Sequence, residues 1–205
     1  MNNFYISTFY TKDSPYSEAV LEYLQMSLLH LPCAIHLINN EIEDLGSWYR
    51  NVAEKPRVVL QMLEENPKEC LVFLDADCTV NKYPYLFHEI PDEYDLAFHT
   101  LNWNTWYGYT ALNPVTELLT GTMFFRPNDK VKQLCVDWYE EAKRTSEWEQ
   151  KVLERVIKHH DVKVYPLPIE YCYMATRPRG EAPLVKCDPV ITHYQVSRTE
   201  KRRKR

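Results

Sequence analysis

Two aspartates one residue apart, Asp75 and Asp77, close the apolar run Leu71-Val72-Phe73-Leu74. Four apolar residues in a row fit a strand buried on both faces. Ionised carboxylates are costly to bury without a positive partner, so the strand must end here, at the lip of a cleft. Side chains at i and i+2 of an extended segment point the same way, which lets both aspartates face one divalent cation. All-oxygen coordination suits Mg²⁺ or Mn²⁺, ions that commonly take phosphate oxygens as further ligands. The plainer alternative is a strand-end turn with two solvated acids.

The elements around this pair are legible from periodicity. Phe4 to Thr11 reads as a strand, and Ser14-Pro15 opens a helix with Val20, Tyr23, Leu24 and Leu28 on its inner face. Ala34 to Ile38 reads as a second strand, and Glu41 to Asn51 as a polar loop carrying Trp48 and Tyr49. Lys55-Pro56 opens a helix with Val59, Met62 and Leu63 inward, ahead of the Asp75/Asp77 strand. This strand–helix alternation predicts an α/β fold with a parallel sheet covered by helices, and ligands of such sheets bind beyond the C-terminal strand ends. Thr8 and Tyr10 fall there too. In the second half, Asp95 to Leu101 reads as a strand, 102–107 as an aromatic, Asn-rich loop, and Leu118 to Arg126 as a strand broken by Thr120-Gly121-Thr122. Asn128 caps a helix, another starts near Ser146, and short strands follow at Lys163 to Leu167 and Val190 to Gln195.

Bulk composition bounds the class. At 205 residues the chain supports one good core rather than two comfortable domains. With only 4 Gly there is no Gly-rich phosphate-cradling loop. Net charge is −5, yet Lys201 to Arg205 are five consecutive cations, so the body carries about −10. No apolar run approaches the roughly 20 residues of a membrane span. None of the 6 Cys forms a C-x-x-C pair, which fits buried thiols in a reducing cytoplasm and argues against zinc.

Five stretches carry a resemblance: Lys55-Pro56-Arg57, Leu71–Asp77, Leu118-Leu119-Thr120-Gly121-Thr122, Trp148-Glu149-Gln150 and Ile191-Thr192-His193-Tyr194-Gln195-Val196-Ser197-Arg198. In this order the sequence resembles GT-A-type glycosyltransferases, and within them the small nucleotide-diphospho-sugar transferases of bacteria and viruses. The resemblance implies a Rossmann-like, mixed but mainly parallel sheet flanked by helices. It implies one catalytic domain over 1–198, with a nucleotide-binding half (1–100) and an acceptor and sugar half (101–198), followed by a basic tail (199–205). It further implies transfer of a sugar from a nucleoside diphosphate sugar, usually a UDP-sugar, with Mn²⁺ (or Mg²⁺). Asp77 would bind the metal, Asp75 the ribose or a metal-bound water, and His193 would complete the site. The donor-binding set takes in Asp75 and the intervening Ala76. Glu149-Gln150 corresponds to an acid–Gln pair beside the sugar. Retaining relatives often carry Asp-Gln there, which points to retention of anomeric configuration.

Each residue also has a plainer reading. A neutral imidazole is a good Mn²⁺ ligand, yet His193 could be a polar tip on a strand. Glu149 shares a helical face with Val152, Leu153 and Val156, which turns it inward, yet Ser146-x-x-Glu149 also spells a capping box. Tyr10 could stack on a base or fill the core. Lys55, Arg57, Ser197 and Arg198 could meet diphosphate oxygens, Arg having the better geometry for it. A helix start is a poor place for a merely solvated Lys55. Thr120 and Gly121 offer a hydroxyl and close backbone approach to a sugar. Trp103, Trp106 and Tyr107 suit an acceptor subsite or cover the core. The acceptor could be a glycan, a protein or a modified base in DNA. Two alternatives compete with a transferase. Asp75-x-Asp77-x-Thr79 matches the opening motif of haloacid-dehalogenase-like phosphatases, with Asp75 as nucleophile, although a strand–helix–strand–helix block precedes it here. The basic tail could instead serve a nucleic-acid-binding protein with salt-dependent affinity.

Overall fold

A computed structural model describes residues 1–110, 112–113, 115–177 and 180–196. Ser197, Arg198 and the tail 199–205 lie outside the described residues. The chain opens with β1 (Phe4–Thr11), whose bounds match the sequence reading. Ser14 then caps α1 (Pro15–Ala19), its hydroxyl accepting from the Tyr16 N–H. The helix runs on through a π-helical stretch (Val20–Gln25) into α2 (Met26–Leu29). β2 (Leu37–Ile42) follows, three residues later than expected, because its pairing with β1 sets Ile6 against Leu37 and carries on to Ile42. Two helices then meet at the cleft, α3 (Trp48–Val52), capped by Ser47, and α4 (Lys55–Glu65), with Pro56 in its first turn. The segment read as a polar loop thus contains both strand and helix.

The run 70–74 is β3 (Cys70–Leu74), buried throughout. Leu71 and Phe73 join one hydrophobic cluster and Val72 and Leu74 the other, so the sheet is covered on both faces and the run needs no polar alternation. β4 (Cys78–Val80), α5 (Leu86–Glu89) and β5 (Leu96–Asn102) follow. The aromatic segment is not a loop but α6 (Trp103–Tyr107), capped by the Asn102 side chain and stopped by Gly108 at φ 71°. β6 (Thr116–Phe125) is one strand, but its ladder with β5 jumps from Phe98 opposite Met123 to Thr100 opposite Leu118, so the break expected at Thr120-Gly121-Thr122 is an irregularity in that pairing rather than an end of the strand. Asn128 caps α7 (Asp129–Arg144) as expected, and α8 (Glu149–Val156) packs beside it. The remaining strands are β7 (Val164–Pro166), β8 (Tyr173–Met174) and β9 (Ile191–His193).

The main sheet has six strands in the order β2-β1-β3-β6-β5-β7. All run one way except β6, which is antiparallel to both β3 and β5. A small sheet of order β4-β9-β8 stands beside it. The C-terminal ends of β1 and β3 therefore open toward one cleft. Its far wall comes from β5 and α6, and its last strand, β9, from residues more than a hundred positions downstream of β4.

Candidate active site

Beyond Leu74 the chain leaves the β3 ladder, and the Asp75 N–H donates to the carbonyl of Gly121 on β6. Asp77 is buried, its carboxylate accepting the Val196 N–H at 2.6 Å and its carbonyl the Tyr194 N–H at 2.9 Å. This pair of contacts fastens the segment after β9 onto the acid motif and brings His193 with it. One ligand atom each from Asp75, Asp77 and His193 lie within 4.8 Å of one another. Burial, and after it the charge of Asp75, holds the Asp77 carboxyl above the usual carboxylate range. Burial pushes His193 down to about 4, so the imidazole is neutral at physiological pH. Nε2 is 2.8 Å from the Thr122 hydroxyl. With Nε2–H donating there, Nδ1 keeps its lone pair on the side of Gly121 and Asp75. The donors fit a divalent cation of the Mn²⁺ or Mg²⁺ kind: two carboxylates, one of them unfavourably buried without a counter-charge, and one neutral imidazole. Gly121 makes room for them, since a Cβ on it would lie 2.9 Å from His193 Cε1 and 3.3 Å from Asp75 Oδ2.

Beside the triad, the fully buried Lys55 ammonium bonds Asp75 at 2.9 Å and Glu149 at 2.8 Å, with Thr120 Oγ1 and its carbonyl at 3.2 and 3.3 Å. Burial alone would lower the lysine pKa, but the two carboxylates outweigh it and hold it raised and charged. Glu149 also accepts the Thr120 hydroxyl at 2.8 Å. The capping-box reading of Glu149 is thereby corrected. α8 begins after Trp148, with no side-chain cap, because the Glu149 carboxylate is already held by Lys55 and Thr120. Gln150 accepts from the Thr120 N–H at 3.4 Å and donates to Glu117 at 2.6 Å. Glu117 in turn accepts the Trp103 indole N–H at 2.9 Å. Glu117 has no part in the sequence reading, since it precedes the apolar run that marks the strand.

The cleft encloses about 590 Å³. Across it lie Tyr10 and Trp48 on one side, Lys55, Asp75, Ala76, Asp77, Thr120 and Gly121 at the floor, and Trp103 and Tyr107 opposite, with Trp148, Glu149 and Gln150 contributed by the start of α8. Of the other expected residues, Thr8 is fully buried and does not line the cleft. Arg57 turns away from it, paired with Glu54 and Gln61 on the outside of α4. Trp106 is core: it is 1 % exposed and packs edge-on against Tyr173 at 5.5 Å. The helical turn explains the split, because adjacent residues of a helix are about 100° apart, so Trp106 turns to the core while Tyr107 turns to the cleft, with Trp103 between them. Trp48, Tyr109 and Trp148 also line the cleft; Trp148 belongs to a stretch that carries the resemblance, whereas Trp48 and Tyr109 carry no signal in the sequence beyond being aromatic.

A mainly parallel sheet whose third strand ends in an acid pair at such a cleft defines a GT-A-type nucleotide-sugar transferase. The family comparison agrees: the model of the nucleotide-diphospho-sugar transferases matches residues 41–205, and the chain belongs to that family. It is a glycosyltransferase, and the phosphatase alternative falls. The fold is similar to a glycosyltransferase involved in the glycosylation of the major capsid of PBCV-1, with a TM-score of 0.66 at 14% identity over 98% of both chains. It is also similar to mouse xyloside xylosyltransferase 1, with a TM-score of 0.56 at 10% identity over 95% of this chain and 98% of that one. The glycosyltransferase GlyE of Streptococcus pneumoniae aligns with a TM-score of 0.59 at 12% identity, over 95% of this chain and 55% of that one. No curated protein matches the chain by sequence. Among the described residues no helix is long and apolar enough to cross a membrane.

Proposed function

We propose that the chain transfers a glycosyl unit from a UDP-sugar to an acceptor hydroxyl, with retention of configuration and with Mn²⁺ (or Mg²⁺) held by Asp75, Asp77 and His193. The observation that carries this reading is the convergence of those three side chains within 4.8 Å at the end of β3. A bound divalent cation supplies positive charge against the diphosphate leaving group. The residues of the chain do the rest. Tyr10, at the mouth of β1, offers a ring to the uracil base. Lys55 fixes the Asp75 and Glu149 carboxylates relative to each other, and the neutral His193 keeps its lone pair for the metal. Glu149, anchored through one oxygen, faces the sugar, and the Glu149-Gln150 pair is the basis for retention. Ser197 and Arg198, which lie outside the described residues, are further proposed diphosphate ligands. Residues 1–198 act as one catalytic domain. The buried free thiols Cys70, Cys78, Cys135 and Cys172 support a cytoplasmic setting, the host's if the chain is viral.

The test is thermal unfolding with and without Mn²⁺ and UDP, on the wild type and on Asp77→Ala. A ligand that binds only the folded state adds about 2.7 kcal/mol at a hundredfold excess over Kd. A stabilisation that needs both ligands and disappears in the variant is expected, after which a panel of UDP-sugars identifies the donor. No stabilisation by UDP with Mn²⁺ refutes the donor assignment.

A further inference from the structure

The wall opposite the base site is built unlike the donor floor. Trp103 and Tyr107, one helical turn apart, meet edge-on at 5.6 Å, and Tyr109 closes against both, 6.0 and 5.7 Å away. Tyr109 is 55% exposed and lines the cleft. At the foot of this wall sits Glu117, only 8% exposed. One of its oxygens accepts the Trp103 N–H and the other the Gln150 amide. A carboxylate has about four lone-pair positions, so two remain for a ligand. Glu117 is joined to the reaction floor by an unbroken path, through Gln150 to the Thr120 N–H, and from the Thr120 hydroxyl to Glu149.

The cations of the cleft are already committed. Lys55 is bound to Asp75 and Glu149, and Lys151 to Glu154 at 3.0 Å with Glu117 at 4.0 Å. Among the described residues of the cleft, then, none offers an uncommitted positive charge to a phosphodiester backbone. An aromatic wall with an acid at its foot suits a different acceptor: a ring with an apolar C–H face to lie on the aromatics and hydroxyls to donate to a carboxylate.

We propose that Glu117, with Trp103, Tyr107 and Tyr109, forms the acceptor subsite and selects an uncharged glycosyl unit. The assignment rests on the UDP-sugar reading above and narrows its acceptor from glycan, protein or modified DNA to glycan. Glu117 is the specificity-determining residue: it receives an acceptor hydroxyl and, through Gln150 and Thr120, fixes the position of that sugar relative to Glu149.

The experiment measures UDP release from the active donor with three kinds of acceptor: methyl and p-nitrophenyl glycosides of glucose, galactose and xylose, the matching uronic acids, and an oligodeoxynucleotide carrying hydroxymethylated bases. The neutral glycosides should accelerate release above donor hydrolysis, and the uronic acids and the oligonucleotide should not. Glu117→Gln puts an N–H₂ against a neighbouring N–H donor and removes the charge. Tyr109→Ala removes an exposed ring without touching the core. Each should raise the acceptor KM at least tenfold while the UDP Kd, read by thermal shift with Mn²⁺, stays within twofold of wild type. Preferential transfer to the oligonucleotide or to a peptide hydroxyl, donor hydrolysis with no transfer to any neutral glycoside, or an unchanged acceptor KM in both variants would each overturn the assignment alone. Absence of UDP binding and of all UDP-sugar turnover would overturn the donor reading, and this subsite with it.

Discussion

Gly121→Ala should disable the proposed metal site while leaving the fold standing. The added Cβ would lie 2.9 Å from His193 Cε1, 3.1 Å from Nδ1 and 3.3 Å from Asp75 Oδ2. Ordinary carbon contacts begin at roughly 3.5 Å, so the imidazole must retreat by about half an ångström. It has little freedom to do so. Its Nε2 is tied to Thr122 Oγ1 at 2.8 Å, and its backbone is paired with Cys78 of β4. Overpacking of this kind costs about 1–3 kcal/mol, or roughly 2–12 °C in the melting temperature of a chain this long. Gly121 lies in a strand outside the left-handed region, so no backbone strain adds to that figure. The larger effect would fall on binding at the proposed metal site, because ligand distances tolerate only about ±0.2 Å. Loss of the His193 contribution should weaken Mn²⁺ binding about ten- to a hundredfold, the range seen when the support of a ligand is disturbed. Melting in EDTA gives the packing cost, and melting with a Mn²⁺ series gives the affinity. If Gly121→Ala binds Mn²⁺ within twofold of wild type, the reasoning about His193 and this cradle is wrong.

Three other outcomes follow from the same geometry. Lys55→Met leaves the Asp75 and Glu149 carboxylates facing one another without their cation, and urea unfolding should register a loss of about 3–5 kcal/mol. Trp106→Ala empties a buried aromatic position and should cost about 3–5 kcal/mol in the same assay, whereas Trp103→Ala, at the cleft, should cost much less and act on the acceptor KM. His99, whose Nδ1 meets the Leu167 carbonyl at 2.8 Å, is held below the ordinary imidazole range by burial. The unfolded chain therefore takes up this proton at a higher pH than the folded one. Its contribution to stability is complete above about pH 6.5 and declines as pH falls below that value. Denaturant unfolding between pH 7.5 and 5 should show a smaller acid-side loss in His99→Gln than in wild type.

Local chemistry made several elements readable. Ser14 and Asn128 are caps with a mechanism, Pro56 marks a first turn, and the run 71–74 can only be a doubly covered strand; each lies where the sequence puts it. What failed depends on residues far apart in the chain. The Thr120-Gly121-Thr122 segment is legible as an irregularity, and the β5–β6 ladder shifts register there, yet nothing local tells that the missing Cβ is what His193, 72 positions on, requires. Ser146-x-x-Glu149 spells a cap, but the carboxylate is drawn instead to Lys55, from a helix almost a hundred residues earlier. Arg57 and Lys55 look equivalent as diphosphate ligands, and only helix phase separates them: one is buried at the floor, the other paired with Glu54 outside. Glu117 was invisible because nothing in a lone acid before an apolar run announces that a tryptophan and a glutamine will enclose it.

The placement of β9 has a consequence for how the molecule comes apart. Its strand lies between β4 and β8, and the segment behind it is tied to Asp77 by Val196, 119 residues away in sequence. Closing so long a loop is entropically expensive and is repaid by few local contacts, so this latch should engage late in folding and open early. A cation shared by Asp75, Asp77 and His193 would act as a removable cross-link between the two segments. Chelation would then act first as a loosening of one edge of the protein: faster amide exchange at Ile191–His193 and earlier protease cleavage beyond residue 175, while the β1–β3 ladder stays protected.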